Sequence, residues 1–423
     1  MSRFVPLSLV FLVALGCDRK AQVEVQVGPG PIAIDTPPPV IAPPDDDSIP
    51  PPRPVQVRSR QQALALGVEY LQKQQSPDGA WRSDVYATFK DGIALTPLAL
   101  VAMQEAHDAH VRNPAVEASI KKGCEFLATF VKDGTIRPPT DGFDYPVYTA
   151  ALAVKAFSHP TAKDFAKHRA AWVKYLKERQ LTTALGWKEE DKQYGGWGYC
   201  RVIPKKPEPG ALAPSLIESN LSATVFALDA LTAAGEADKE LRAAAAVFVR
   251  RCQAVHGTLS SPKSWIELLD GGFHFIYDDP TRNKAGKAHD DPLLFHSYGS
   301  TTADGFRALA LCNDPADSER RAEAQNWLTA NFRADHHPGT YIPTHERNRD
   351  AVYFYYAASV ARAFREHKLA LPNGRDWAAE LSHELAIRQA KDGSWTNPIE
   401  LVRENDPIVA TSNAILALAR CRR

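Results

Sequence analysis

Two kinds of helical segment alternate along the chain from residue 59 onward, and this alternation restricts the fold more than any other feature. Segments of the first kind have one apolar and one polar face. In the first of them Leu64, Val68 and Leu71 recur at i, i+4, i+7, with Gln and Lys between them. The polar-faced segments span residues 60–75, 115–131, 163–180, 238–254, 317–333 and 376–390.

Segments of the second kind are Ala-rich and apolar on every side, as over residues 148–154 and 414–419. A helix without a polar face is buried all round. These segments span residues 93–107, 146–158, 217–234, 298–313, 350–367 and 408–421. Six half-exposed helices alternating with six buried ones predict an all-α fold, an α6/α6 toroid of six helical hairpins with an outer and an inner ring.

Two connections between these helices are unusually long, at residues 181–214 and 255–297. Connections longer than about 15 residues are commonly functional. We expect both to cover one mouth of the toroid. Residues 272–298 gather several His and Asp side chains. A metal site would need three or four of them to converge on one ion, and we interpret the segment instead as a solvated loop whose charges keep it soluble.

The N-terminus has the pattern of an export signal. Arg3 precedes an apolar run over Phe4–Leu15, too short to span a membrane as a helix. The run ends at Cys17 in a sequence that resembles the lipobox of bacterial lipoproteins, where the cysteine is acylated. The resemblance implies a signal peptide at residues 1–17, lipidation of Cys17 and a protein held on the membrane of the cell envelope.

A proline-rich stretch separates this signal from the helices. Residues 28–54 hold 11 of the 32 prolines. Such a sequence favours polyproline II and cannot bury a core. We therefore predict a disordered linker at residues 18–58 and a single toroid at residues 59–423. The 50 basic and 50 acidic residues balance, which argues against a nucleic-acid partner.

A short motif recurs where polar-faced helices end. Gln75, Gly79 and Trp81 follow the first of them, and the same three residue types follow the last one. The third hairpin has a degenerate form, which we assign to Gln193, Gly196 and Trp197. Glycine ends the helix with a positive φ, and tryptophan packs over the turn. The well-formed second copy consists of Gln389, Gly393 and Trp395.

This motif resembles the QW repeat of the terpenoid cyclase and protein prenyltransferase superfamily, in particular the squalene-cyclase-like branch. The resemblance covers residues 59–423. It implies a toroid with a central cavity that binds an isoprenoid or hopanoid-like lipid. It does not by itself imply catalysis.

The catalytic motifs of the superfamily are missing from the sequence. Neither D-x-D-D nor D-D-x-x-D occurs, and the Asp, Cys and His that hold zinc in prenyltransferases have no full counterpart. We therefore predict no metal site and no Zn²⁺ or Mg²⁺ cofactor. Whether the chain is an enzyme stays open at this point.

Aromatic and polar residues cluster at the starts of the apolar helices. If these starts line one mouth of the toroid, they form an aromatic wall suited to a lipid tail, a cation or a sugar ring. Alternate residues of each helix, however, point into the space between the inner and outer helix rings. The predicted cavity-lining residues are Tyr145, Tyr148, Asn220, His296, Tyr298, Tyr353, Phe354, Tyr355 and Tyr356.

Asp144, Asp304 and Asp350 occupy the same tier and are our candidates for an unconventional acid, although aspartate at a helix start often serves only as a cap. The remaining cysteines have no C-x-x-C spacing, so their pairing stays open. They are Cys124, Cys200, Cys252, Cys312 and Cys421.

Three functions remain as hypotheses. The first is a lipid-anchored toroid that binds an isoprenoid or other apolar ligand. The second is a non-catalytic scaffold that binds an envelope protein. The third is a carbohydrate-active enzyme, which needs two carboxyl groups about 5–9.5 Å apart in the cavity.

Overall fold

A computed structural model describes residues 57–255, 269–277, 279–288 and 294–422. The predicted signal peptide with Cys17, and the predicted linker up to residue 56, lie outside the described residues. Within those residues, no helix combines the length and apolar character needed to cross a membrane.

The described chain is mainly helical. Its α-helices are α1 (Arg60–Gln74), α2 (Leu95–Asp108), α3 (Pro114–Ala128), α4 (Pro146–Ser158), α5 (Ala166–Lys177), α6 (Leu221–Ala233), α7 (Lys239–Arg251), α8 (Gly299–Cys312), α9 (Ser318–Asn331), the short α10 (Pro343–Glu346), α11 (Tyr353–His367), α12 (Trp377–Arg388) and α13 (Pro407–Arg420). Two antiparallel pairs of two-residue strands complete it: β1 (Val131–Lys132) with β2 (Thr135–Ile136), and β3 (Trp197–Gly198) with β4 (Ser219–Asn220).

The helices form two concentric rings. The inner ring consists of α2, α4, α6, α8, α11 and α13, each of which contacts the next, and α13 closes the ring against α2. The outer helices α1, α3, α5, α7, α9 and α12 pack around it. The prediction of an all-α α6/α6 toroid is confirmed, and the inner helices are those whose sequence has no polar face.

Local sequence sets the helix starts. Ser59 and Gln62 form a capping box at the start of α1. Asn113, Asp238 and Asp406 accept hydrogen bonds from the first backbone N–H groups of α3, α7 and α13. Each inner helix follows its outer partner in the hairpin, so the six inner helices all point the same way.

The QW-type turns tie neighbouring hairpins together. The Gln75 side-chain amide donates to the carbonyl of Gly79 at 2.9 Å and to that of Ser119 at 2.9 Å, on the next outer helix. The Trp81 indole N–H donates to the Leu71 carbonyl at 2.6 Å, near the end of α1. The indole thus satisfies one of the last carbonyls of α1, which a helix end leaves without intrahelical partners, and the amide links the turn to α3.

The last turn repeats these contacts and closes the ring. The Gln389 amide donates to Gly393 and, at 2.8 Å, to the carbonyl of Ala63 on the first outer helix. Gly393 has a φ of +92°, and a Cβ there would lie 2.4 Å from the Leu66 carbonyl oxygen. Glycine is therefore required at this turn by both the backbone conformation and the close approach.

The assignment of Gln193 to the third repeat is wrong. Gln180 takes that position, because its amide donates to Gly195 and to Leu241 at 2.9 Å each. In the fourth hairpin, Gln253 makes the equivalent bonds to Gly271 and Arg320. Both long connections therefore contain segments inserted between the glutamine and the glycine of a repeat.

Candidate functional site

A cavity of about 180 Å³ lies on the axis of the toroid. Side chains from the first turns of all six inner helices surround it, and the loops that precede these helices supply the rest of its wall. The apolar part of the lining consists of Phe89, Ala94, Leu95, Leu98, Leu152, Phe226, Phe275, Val352, Val402 and Val409.

Four of the predicted aromatic residues, Tyr145, Tyr148, Tyr298 and Tyr355, lie in the cavity wall. They alternate with residues that point into the space between the inner and outer helix rings, as the helical repeat requires. Tyr199, on the first long connection, completes the aromatic wall and stacks on Tyr148 with ring centroids 5.4 Å apart.

The other predicted lining residues pack outside the cavity. Asn220 caps α6 by accepting from the Ala223 N–H at 2.9 Å. Tyr353 and Tyr356 donate to the carbonyls of Ala334 and Arg333 on the outer side. Phe354 is buried between the rings, and His296 is half-buried in the loop before α8.

Asp304 is the one predicted acid that lines the cavity. The Tyr355 hydroxyl donates to its carboxylate at 2.6 Å and the Ser359 hydroxyl at 2.8 Å. Burial raises the pKa of Asp304 to about 6, against the opposing effects of Arg307 and these two hydroxyls. The side chain is therefore a carboxyl group that takes up a proton near neutral pH.

A chain of hydroxyl groups leads from this carboxyl group across the cavity wall. Tyr355 contacts Ser222, Tyr148 donates to Ser222 at 2.7 Å, and the hydroxyls of Tyr148 and Tyr199 are 2.9 Å apart. Hydroxyl groups both donate and accept, so this chain is able to pass a proton between Asp304 and the first long connection.

Asp144 and Asp350 are engaged elsewhere. Asp144 forms an ion pair with Arg201 and accepts a hydrogen bond from Thr88. Asp350 accepts from the backbone N–H of His337 at 2.7 Å. Neither carboxylate lines the cavity.

A second cavity carboxyl group, Glu404, escaped the sequence analysis. It accepts from the backbone N–H groups of Phe354 at 3.0 Å and Tyr355 at 2.7 Å, and thereby caps α11 from a loop about 50 residues away. Burial raises the pKa of Glu404 to about 7, although these two N–H groups and Asn397 favour its charged form.

The second long connection is not the solvated loop that we expected. In its described parts His274, Arg282, Asn283 and Phe295 are buried, and Lys284 lines the cavity. The Asn283 side chain holds the loop together, because its carbonyl oxygen accepts from Phe275 and its amide donates to Ile276. Asp278, His289, Asp290 and Asp291 lie outside the described residues.

The opposite end of the inner ring holds a cluster of charged groups. Asp229 lies at its centre, 2.9 Å from Lys155, 2.6 Å from Arg362 and 3.6 Å from Arg307. All six inner helices contribute to this charged cluster, whose further members are Glu105, Glu366 and Arg420. The cluster fills the axis on the side away from the cavity, where only about 40 Å³ remains.

Metal and disulfide chemistry find little support in the described part of the chain. No group of three or more His, Cys, Asp or Glu residues is placed to hold a metal ion there. Five cysteines of this part of the chain are buried and form no disulfide with one another: Cys124, Cys200, Cys252, Cys312 and Cys421.

Several solved structures share this architecture. A variant of the type II terpene cyclase MstE from Scytonema, in complex with geranylgeranyl dihydroxybenzoate, aligns with a TM-score of 0.51 at 13% identity, over 86% of this chain and 97% of that one. The GH76A α-1,6-mannanase from Salegentibacter sp. HEL1_6 aligns with a TM-score of 0.51 at 11% identity, over 86% and 99%. A protein from Actinoplanes aligns with a TM-score of 0.50 at 16% identity, over 86% and 99%.

These likenesses establish the α/α toroid fold. No family model matches the sequence, and no curated protein does. The terpene cyclase and the mannanase act on very different molecules, so the fold leaves the choice of ligand to the side chains of the cavity.

Proposed function

We propose that the toroid binds an isoprenoid or a similarly apolar ligand in its central cavity. The observation that carries this proposal is the continuous apolar wall, with Leu95 and Leu98 on one inner helix and Leu152, Phe226 and Val409 on three others. Burial of a hydrocarbon against such a wall contributes roughly 25 cal/mol per Å².

The size of the cavity restricts what it holds. Its volume of about 180 Å³ is close to the roughly 150 Å³ of an engineered cavity that binds benzene, and below the roughly 300 Å³ at which drug-sized pockets begin. The cavity therefore suits one ring or one short branched segment, such as the first units of an isoprenoid chain.

Asp304 gives this cavity a chemical capability beyond binding. Its carboxyl group is buried, hydrogen-bonded to Tyr355 and protonated at mildly acidic pH. An alkene bound against the apolar wall would lie beside this acid, which could donate its proton to the double bond. The hydroxyl chain through Ser222 and Tyr148 would then return a proton to Asp304.

A thermal-shift experiment tests the binding proposal. We expect saturating farnesol to raise the melting temperature of residues 57–423 by about 3 °C, since a ligand at 100 times its Kd stabilises the folded state by roughly 2.7 kcal/mol. Leu98→Trp fills the cavity and should abolish this shift. The matched control Leu212→Trp places the same indole at a fully exposed position and should leave it intact.

The same assay tests a second candidate, a carbohydrate-active toroid. The observation that favours it is the presence of two carboxyl groups with raised pKa values, Asp304 and Glu404, in one cavity. An α-1,6-linked mannotetraose that stabilises the protein where farnesol does not would support this candidate and contradict the isoprenoid proposal.

We further propose that the protein is exported and anchored to the membrane of the cell envelope through acylated Cys17. The support is the sequence from Arg3 to Cys17. Cys17→Ser should move the protein from the membrane fraction to the soluble fraction. Mass spectrometry should find the acylated N-terminal peptide in the wild type and not in Cys17→Ser. An equal membrane fraction for both forms would contradict the anchor.

A further inference from the structure

Two basic side chains beside the cavity lack the partners that buried cations normally have. Lys284 lines the cavity, and in the described part of the chain its ammonium group has neither a hydrogen bond nor an ion pair. Arg282 is 7% exposed, yet its Nε and Nη2 have no hydrogen-bond partner among the described residues. Leaving buried charged donors unsatisfied is costly, so a ligand that satisfies them gains affinity.

The free donors of Arg282 have a recognisable geometry. Nε–H and Nη2–H form one edge of the guanidinium, and two parallel N–H groups along one edge are the arrangement that grips a carboxylate or phosphate with two bonds. The group lies 6.0 Å from the ring centroid of Tyr199 and 5.7 Å from that of Phe275, and both rings belong to the cavity wall.

The charges around this pair leave room for a single negative charge. Glu218 lies 3.4 Å from Arg282 and offsets one of the two cations. Glu404 also faces Lys284. Burial raises the pKa of Glu404 to about 7 and lowers that of Lys284 to about 8, so that below pH 7 the carboxyl group is mostly neutral while the ammonium group is charged. Among the described residues, Lys284, Arg282 and Glu218 thus carry one net positive charge while Glu404 is protonated, and a monoanion such as a carboxylate matches that charge better than a dianionic phosphate.

A further cation, Arg403, lies on the opposite wall and is held there by the aromatic side chains of Tyr86 and Tyr145. Arg403 lines the cavity from a backbone φ of +70°, a left-handed conformation that is unfavourable for a residue with a side chain. Its guanidinium packs over Tyr86 at 3.7 Å from the ring centroid. The N-termini of the inner helices also point to this end, where their dipoles favour negative charge.

We propose that Lys284 and Arg282 form a subsite for the carboxylate head group of the ligand whose apolar part fills the cavity. The inference rests on the proposed apolar binding function and names its ligand more closely: an amphiphilic acid with a short isoprenoid or similarly branched tail. Lys284 would pair with the carboxylate at the cavity wall, and Arg282, which does not itself line the cavity, would add its positive charge from behind the rings of Tyr199 and Phe275.

Calorimetric titration with three ligands of the same tail tests this subsite. Geranic acid, geraniol and geranyl phosphate differ only in the head group. We expect geranic acid to bind about 10- to 100-fold more tightly than geraniol at pH 7, which is the usual advantage of a charge-assisted hydrogen bond in a buried site. Equal affinity for the acid and the alcohol would overturn the subsite while leaving apolar binding intact. Binding of none of the three would instead reject the proposed function.

The comparison of head groups also tests whether the subsite matches one negative charge rather than two. Geranyl phosphate should bind more weakly than geranic acid, and a phosphate that binds more than tenfold more tightly would overturn the assignment to a carboxylate.

Lys284→Met keeps the length of the side chain and removes its charge. This variant should bind geranic acid no better than it binds geraniol. Lys287→Met, at an exposed position of the same loop, should keep the full preference for the acid. A preference that survives Lys284→Met would overturn the role of Lys284.

A measurement on the unmodified protein covers the case in which Lys284→Met fails to fold. Raising NaCl from about 0.05 M to about 0.5 M should weaken the binding of geranic acid and leave that of geraniol nearly constant. Equal salt dependence of the two ligands would overturn the subsite.

Discussion

Replacing Asp229 with asparagine is expected to lower the free energy of unfolding by about 3–5 kcal/mol. Asp229 is buried and pairs with Lys155, Arg362 and Arg307, and these pairs hold its pKa well below the usual range. Asparagine has nearly the same shape but no charge. The substitution therefore removes the one carboxylate that Lys155, Arg307 and Arg362 share, and leaves Arg307 with Asp304 and Arg362 with Glu366.

Urea unfolding followed by circular dichroism measures this loss, and a surface ion pair supplies the control. Glu380→Gln removes the partner of Arg375, whose side chain is 42% exposed, and should cost less than about 1 kcal/mol. The double variant Asp229→Asn with Arg362→Met should lose less than the sum of the two single losses, because it removes one of the stranded cations. Losses that add, or an Asp229→Asn loss as small as that of the control, would show that the charged cluster does not act as a unit.

Glu404→Gln is expected to change the pH dependence of stability by about 2.5 kcal/mol between pH 8 and pH 5. The folded-state pKa of Glu404 is raised to about 7 from its usual 4.5. The folded protein thus binds this proton more tightly than the unfolded chain does, so lowering the pH through this window stabilises the wild type. Glutamine cannot titrate, and the variant lacks this gain.

The measurement is the difference in unfolding free energy between wild type and variant at each pH. The wild-type profile alone would not isolate Glu404, because burial also lowers the pKa values of His274 and His337 to about 3. These two histidines cost stability as the pH falls below their unfolded value of about 6.5, and they are common to both proteins. Glu400→Gln, on the same loop, is the control. Parallel profiles for wild type and Glu404→Gln would contradict a raised pKa.

The fold could be predicted from the sequence because its signals are local and repeated. Leu64, Val68 and Leu71 fix the buried face of α1 by their spacing, and the turn around Trp81 recurs around Trp395. The pattern failed where a repeat is interrupted. Gln180 and Gly195 are separated by an inserted segment, so reading the motif as a continuous string selected the nearer Gln193 instead.

The site was harder to predict than the fold. Tyr148, Tyr355 and Asp304 could be predicted from the sequence because they lie on helices, where the spacing of residues shows which of them face inward. Lys284 and Glu404 were not, since both lie on irregular loops and reach the cavity through contacts that are distant in sequence. A glutamate that caps a helix about 50 residues away leaves no periodic signal.

The position of the two insertions has a consequence for how such a protein can change. The side-chain amides of Gln180 and Gln253 each donate to the glycine that follows the inserted segment and to the next outer helix. These hydrogen bonds bring the two ends of the inserted segment together. The entropy of closing such a segment grows only slowly with its length. The segment between Gln180 and Gly195 can therefore differ in length while the twelve helices of the two rings stay unchanged, and Tyr199, which lines the cavity, lies after that glycine.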